Sequence, residues 1–283
     1  MKIAGVQMDV RIGDVAGNLE RMADRFREAA GAGAELIVFP ECAVTGYCFT
    51  DLDEARPFAE AVPGPATEFF SRVCAEANAY AVFGMLEADG ADVFNAAVLA
   101  GPKGAIGSYR KVHLPFLGVD KFTSYGNRPF AVHSAGDLRV GLNICYDAAF
   151  PEASRAMSIQ GADLIALPTN WPPGAECVAS HGINTRAMEN GVYFIAVNRV
   201  GTERGFAFIG GSRICAPDGS TLAAADHTGE EILYAEIDPA RARQKTAVRK
   251  PGEHAIDRMA DRRPEMYGDL VKPHRLARPG RDS

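Results

Sequence analysis

The chain has 283 residues, is 47% hydrophobic and 23% charged, and carries a formal charge of −6; it is long enough to bury a large core. The negative balance argues against nucleic acid as the main partner, because phosphate binding needs a basic face. No run of about 18 to 20 apolar residues is available to span a bilayer, and the opening MKIAGVQMDVRIGD lacks the apolar stretch and small-residue cleavage site of a signal peptide, so a cytoplasmic protein without a membrane partner is the expectation.

In chain order, Lys2–Met8 reads as a strand. Asn18–Ala30 has helical spacing, with Leu19, Met22, Ala23, Phe26, Ala29 and Ala30 on one side. Leu36–Phe39 is a short buried strand stopped by Pro40. Thr67–Asn78 is helical and Tyr80–Leu86 returns to strand. Phe94–Ala100 and Ala105–Tyr109 form a hairpin around Gly101–Gly104. Leu138–Ile144 alternates as a strand, and Pro151 suits the first turn of a helix reaching about Gln160. Leu164–Leu167 is strand, Val178–Asn190 helix, Tyr193–Val197 strand, and Ile232–Ile237 the last clear strand. This alternation predicts an α/β fold. Lys2–Pro40 and Val140–Pro168 share the order strand, helix, apolar strand ending in Pro, the trace a duplicated half would leave. With no Gly, Ser or Pro linker to divide it, residues 1–250 are expected to form one domain. The Arg-, Lys- and Pro-rich residues 251–283 are expected to be an extended C-terminal tail over the body or a second subunit.

The six cysteines, at 42, 48, 74, 145, 177 and 215, are scattered. This is neither a disulfide framework nor a zinc pattern of tight pairs, so free thiols are expected. Cys145 directly follows an apolar strand and precedes the Pro151 helix. Reactive groups collect at the carboxyl ends of such strands, and a nearby helix N-terminus favours a thiolate; inert packing is the competing reading. Glu41 lies just past the strand Leu36–Phe39. If buried there, its carboxyl would be a base near neutral pH; otherwise it is a loop glutamate paired with a neighbour. Lys111 is either a solvated strand end or a fixed cation for a developing oxyanion. His113 is a second choice of base, since Cys–His pairs commonly activate thiols. Spacing alone does not decide between His113 and Glu41.

FPECAVTGY (39–47), YRKVHLP (109–115) and NICYDAAFPE (143–152) resemble the three signature segments of the nitrilase superfamily, the carbon–nitrogen hydrolases. LPTNWP (167–172) and RAMENGVYFIAVNRVG (186–201) resemble later family segments, and the likeness runs from GVQMD (5–9) to about Ile237. The resemblance implies a four-layer αββα sandwich in which Cys145 is the nucleophile, Glu41 the base and Lys111 the oxyanion cation, with His113 structural. It implies no metal or organic cofactor, and a homodimer or higher homo-oligomer in which the tail, including DRRPEMYG (261–268), reaches the partner. By match to family segments, Tyr47, Asn170 and Trp171 shape the substrate pocket, and the Tyr146 N–H joins Lys111 at the oxyanion. For the three pocket residues core packing is the competing reading. Arg186 and Glu189, three apart on a helix, are expected to pair with each other.

One departure stands out. Many members place a second glutamate between the lysine and the cysteine. Here Val119 occupies that position with Asp120 beside it, so Asp120 is the candidate second acid. Tyr146-Asp147 after the nucleophile resembles amidase and carbamoyl-amide branches, whereas the nitrile branch typically has Trp-Glu. A small, primary amide is therefore the expected substrate. The alternatives are an N-carbamoyl amide or a nitrile, acyl transfer to an amine in place of water, and a non-catalytic binding member of the fold.

Overall fold

The computed structural model describes residues 1–225 and 229–281. The first half opens with β1 (Lys2–Gln7), α1 (Val15–Gly31) and β2 (Ala34–Val38). Asp14 caps α1 by accepting from the Gly17 N–H, satisfying a donor that the helix itself leaves open. After the short α2 (Leu52–Ala55), α3 (Pro65–Ala77) leads into β3 (Tyr80–Asp89), β4 (Asp92–Gly101) and β5 (Gly104–Arg110). The second half contains β6 (Val132–Ala135), β7 (Leu138–Leu142), α4 (Pro151–Ile159), β8 (Leu164–Thr169), α5 (Ile183–Asn190) and β9 (Tyr193–Asn198). There follow the small pair β10 (Thr202–Glu203) and β11 (Phe206–Ala207), then β12 (Arg213–Cys215), β13 (Thr221–Ala224), β14 (Glu231–Glu236) and α6 (Pro239–Arg243). The hairpin β15 (Thr246–Lys250) and β16 (His254–Asp257) bridges residue 250. The last two residues of the expected tail, 282 and 283, lie outside the described residues.

The strands form two six-stranded sheets, ordered β14-β1-β2-β3-β4-β5 and β6-β7-β8-β9-β12-β13. Both run through the same directions: one antiparallel pair, two parallel pairs, then two antiparallel pairs. The halves thus share a topology, and the parallel β1–α1–β2 unit corresponds to β7–α4–β8. The first sheet is completed by β14, which crosses from the far end of the chain to pair with β1.

The sheets pack face to face. Ile3, Leu36, Val38 and Val82 of the first meet Val140, Leu142, Ile195 and Val197 of the second in one buried cluster. Gly5 permits this approach at the centre, since a Cβ there would lie 2.9 Å from a Val197 methyl. On the outer face of the first sheet, Met22 and Phe26 of α1 and Phe70 and Val73 of α3 pack on Val6, Ile37 and Phe83. The inward stripe of α1 follows the i, i+3, i+4 spacing of an amphipathic helix. On the second sheet, Met157 of α4 and Ile183 and Ala187 of α5 cover the other outer face. The result is the expected four-layer αββα sandwich.

Candidate active site

The site gathers at the carboxyl ends of β2, β5, β7 and β8. Glu41 follows β2, Lys111 directly follows β5, Cys145 follows β7, and Asn170 and Trp171 follow β8. The loop after β2 stays clamped to β3: Gly84 donates its N–H to the Pro40 carbonyl and accepts from the Val44 N–H. A Cβ on Gly84 would stand 2.3 Å from the Cys42 nitrogen and 2.7 Å from the Glu41 Cα, so glycine is what lets the Glu41 loop lie on the strand. Cys42 and Cys145 both adopt positive φ, +48° and +46°, a region costly for any residue with a side chain.

Glu41, Lys111 and Asp120 are all fully buried. The Lys111 ammonium donates to Glu41 Oε1 at 2.7 Å and to Asp120 Oδ2 at 2.5 Å. Asp120 sits in the short turn Gly118–Lys121 and also accepts from the Tyr47 hydroxyl at 2.8 Å. Asn95, on β4, donates to Glu41 Oε1 at 2.7 Å and to Asp120 Oδ1 at 2.8 Å. The second Glu41 oxygen, Oε2, is buried with no hydrogen-bond partner among the described residues.

Burial pushes the Glu41 carboxyl up; the Lys111 charge opposes this and the Asp120 charge adds to it, leaving it raised. For Lys111, burial would depress the ammonium, but Asp120 and Glu41 outweigh it and hold it well above the usual lysine range. Burial and the Glu41 charge push the Cys145 thiol up to about 12, against the pull of Lys111, the Thr169 hydroxyl and the Asn170 N–H. Cys145 is therefore held as a thiol, within electrostatic reach of Glu41 and Lys111. Such a thiol needs a base to react.

His113 is engaged elsewhere. Its Nδ1 lies 2.7 Å from Asp147 Oδ1, and its ring stacks on Phe150 at 3.7 Å and 8°. Asp147 also accepts from the Tyr109 hydroxyl and from the N–H groups of His113 and Ile144. It thereby ties the Lys111 segment to the nucleophile turn. Arg186 pairs with Glu189 at 2.7 Å and also donates to the Ala148 carbonyl, bracing that turn from α5.

The expected pocket residues divide. Tyr47 is buried against Asp120, and its N–H and that of Cys48 are held by Glu203, itself paired with the buried Arg199. Asn170 bridges the two halves, donating its side-chain N–H to the Glu41 carbonyl at 3.0 Å. Trp171 is 4% exposed and belongs to the buried hydrophobic cluster around the second sheet. Tyr146 is 42% exposed, at the rim with its ring edge-on to Phe150. Sequence reasoning missed Asn95 and Glu203, and read Asp147 only as a mark of the branch. Asn95, the one polar residue in the run Val93–Ala100, was the available signal. Among the described residues no group of three or more His, Cys, Asp or Glu is arranged to hold a metal ion.

The family model for carbon–nitrogen hydrolases matches residues 2–246. The chain belongs to the carbon–nitrogen hydrolase family. Within it, the chain is 38% identical over 268 residues to a nitrilase of Pyrococcus abyssi, covering 94% of this chain and 99% of that one. It is 30% identical over 220 residues to a formamidase of Bacillus cereus, covering 77% of this chain and 66% of the other. The fold matches an amidase from Nesterenkonia sp. with a TM-score of 0.79 at 25% identity, covering 96% of each chain. Variants of that amidase have been solved with acrylamide and with butyramide, and with the acetamide moiety of fluoroacetamide added covalently at its active-site cysteine. This carbon–nitrogen hydrolase is thus an enzyme of the amidase-like branch of the nitrilase superfamily.

Proposed function

We propose that the enzyme hydrolyses small primary amides through a thioester on Cys145, with Glu41 as base and acid and Lys111 as the oxyanion cation. The observation that carries this reading is the unpartnered, buried Glu41 Oε2 in a site whose thiol is pushed up to about 12. Glu41 Oε2 takes the thiol proton as the sulfur attacks the amide carbon. The carbonyl electrons move to oxygen, and the oxyanion is met by Lys111 and the Tyr146 N–H. An ammonium has three donors; Glu41 and Asp120 take two, and the third serves the substrate oxygen. As the tetrahedral species collapses, Glu41 returns its proton to nitrogen, the C–N bond breaks and ammonia leaves. Water then attacks the thioester, giving a proton to Glu41 that passes to the departing sulfur.

Asp120 takes the part of the second acid, anchoring Lys111 together with Glu41, and Tyr47 and Asn170 line the site. Support for an amide comes from the Nesterenkonia amidase and its amide-bound structures. A nitrile is the second reading, favoured by the Pyrococcus abyssi relative. Assay of ammonia release from formamide, butyramide, butyronitrile and an N-carbamoyl compound separates these readings. The amides are expected to be turned over fastest, and a faster nitrile reverses the order. Cys145→Ala is expected to keep the thermal transition and lose all ammonia release; any retained turnover removes Cys145 as nucleophile. We further propose a homodimer or larger homo-oligomer, supported by Met266, Leu270, Val271 and Leu276, which stand exposed in the tail.

A further inference from the structure

We infer that Asn95 is a positioning residue of this centre: its side-chain amide, oriented by Cys42, ties one oxygen of Glu41 to Asp120 and leaves the other Glu41 oxygen for the Cys145 thiol. The inference rests on the proposed amide hydrolysis with Glu41 as base.

Asn95 lies in mid-β4, paired across the sheet with Leu86, and is fully buried. A buried amide at such a place is costly unless its two N–H groups and its carbonyl all find partners. The Nδ2 group spends its donors on Glu41 Oε1 and Asp120 Oδ1. The Oδ1 atom faces the Cys42 thiol, with Sγ at 3.6 Å. This also fixes the orientation of the amide. Turned over, it would set a carbonyl oxygen against two carboxylates and an N–H against a thiol.

The result is a closed ring. Lys111 bridges Glu41 Oε1 to Asp120 Oδ2, and Asn95 bridges Glu41 Oε1 to Asp120 Oδ1. Two donors on one oxygen fix the rotation of the Glu41 carboxylate. Both draw on Oε1, so Oε2 is the oxygen left to accept a proton. Asn95 sets Lys111 as well, because its backbone carbonyl accepts the Lys111 N–H at 2.8 Å. Its donor also opposes the rise that burial and Asp120 impose on Glu41. Without that donor Glu41 holds its proton to higher pH and turns relative to the thiol.

The test is Asn95→Leu, which stays close in shape and removes both donors without adding a charge. At pH 7, kcat on the best amide is expected to fall about 100-fold, the lower range for loss of a general base, with KM within about threefold. The acid limb of kcat/KM is expected to move up by about one pH unit. A role confined to packing would lower the thermal transition and leave the acid limb in place. A folded Asn95→Leu enzyme with the wild-type kcat and acid limb overturns the inference. Should Asn95→Leu not fold, Asn95→Ser, too short to span both carboxylates, is expected to show the same upward shift, and its absence is equally decisive. If the wild type releases no ammonia from any compound of the panel, amide hydrolysis itself is wrong. The pH dependence of Cys145 alkylation by iodoacetamide, read by peptide mass spectrometry, then tests Asn95 separately: it shifts upward in the variant if Asn95 positions Glu41, and is unchanged if it does not.

Discussion

Two carboxylates and one ammonium share the dry interior around Lys111, and they do not contribute alike to stability. Removing the cation leaves two buried like charges without compensation. Lys111→Met is therefore expected to cost about 3–5 kcal/mol, read as a lower thermal transition together with lost activity. Glu41→Gln should act in the opposite sense. The Glu41 carboxyl is raised above its ordinary value of 4.5 in the fold, so the folded enzyme holds that proton more tightly than the unfolded chain does. The stability this confers is fully present below about pH 4.5 and is lost as pH rises through the folded value. Glutamine has no charge to bury. The melting temperature of Glu41→Gln is thus expected to exceed that of the wild type at pH 8, with the difference vanishing towards pH 4.5. Equal transitions at pH 8 would mean that Lys111 fully compensates the Glu41 charge.

At the level of elements, the site depends on how closely the Glu41 loop lies on β3. Gly84→Ala pushes a methyl into the Cys42 nitrogen and the Glu41 Cα, both backbone atoms unable to swing aside. The expected cost is about 1–3 kcal/mol, with ammonia release falling about tenfold or more as Glu41 shifts from the thiol. Gly31→Ala is the control. It ends α1 with nothing within 4 Å of the added methyl, so its activity should match the wild type. The same closeness marks what the sequence makes legible. β1, α1, β2, α3, β7 and β8 are apolar runs or stripes of one period, and their existence and order can be read locally. Glu41, Lys111 and Cys145 are found through the segments around them. Asn95 meets its carboxylates from 54 and 25 positions away, and no local pattern encodes that meeting. Asp147 stands beside the nucleophile in sequence, yet its partners Tyr109 and His113 lie 38 and 34 positions earlier. The three-residue β12 and the four-residue β6 and β13 are too short to show a period.

On the scale of the whole molecule, the two halves repeat one sheet topology, and the site forms where both open. Glu41, Asn95 and Lys111 come from the first sheet, Cys145 and Asn170 from the second, so Asn170 donating to the Glu41 carbonyl is a contact across the sandwich. The β14 strand returns to the first sheet and leaves the remaining chain on the outside. That last stretch touches the body at scattered points: Met259 accepts from Arg155 and Ser158, and Arg278 and Arg281 lie over the Tyr125 ring. Arg155 of α4 donates to the Arg258 carbonyl, and Arg281 donates to the Asp120 carbonyl. Its apolar residues do little for the single chain: Met266 is 70% exposed and Val271 85%. Area that stays wet contributes no hydrophobic stabilisation at about 25 cal/mol per Å², so these side chains gain their burial only against another surface. A chain ending at Arg263 is therefore expected to melt close to the full-length protein at dilutions where both are single chains. In sedimentation velocity at micromolar concentration, the full chain is expected to run as a dimer or larger and the shortened one as a monomer. If the two chains sediment as the same species, the tail does not carry the assembly. If the shortened chain melts much lower as a monomer, the tail instead belongs to the fold of the single chain.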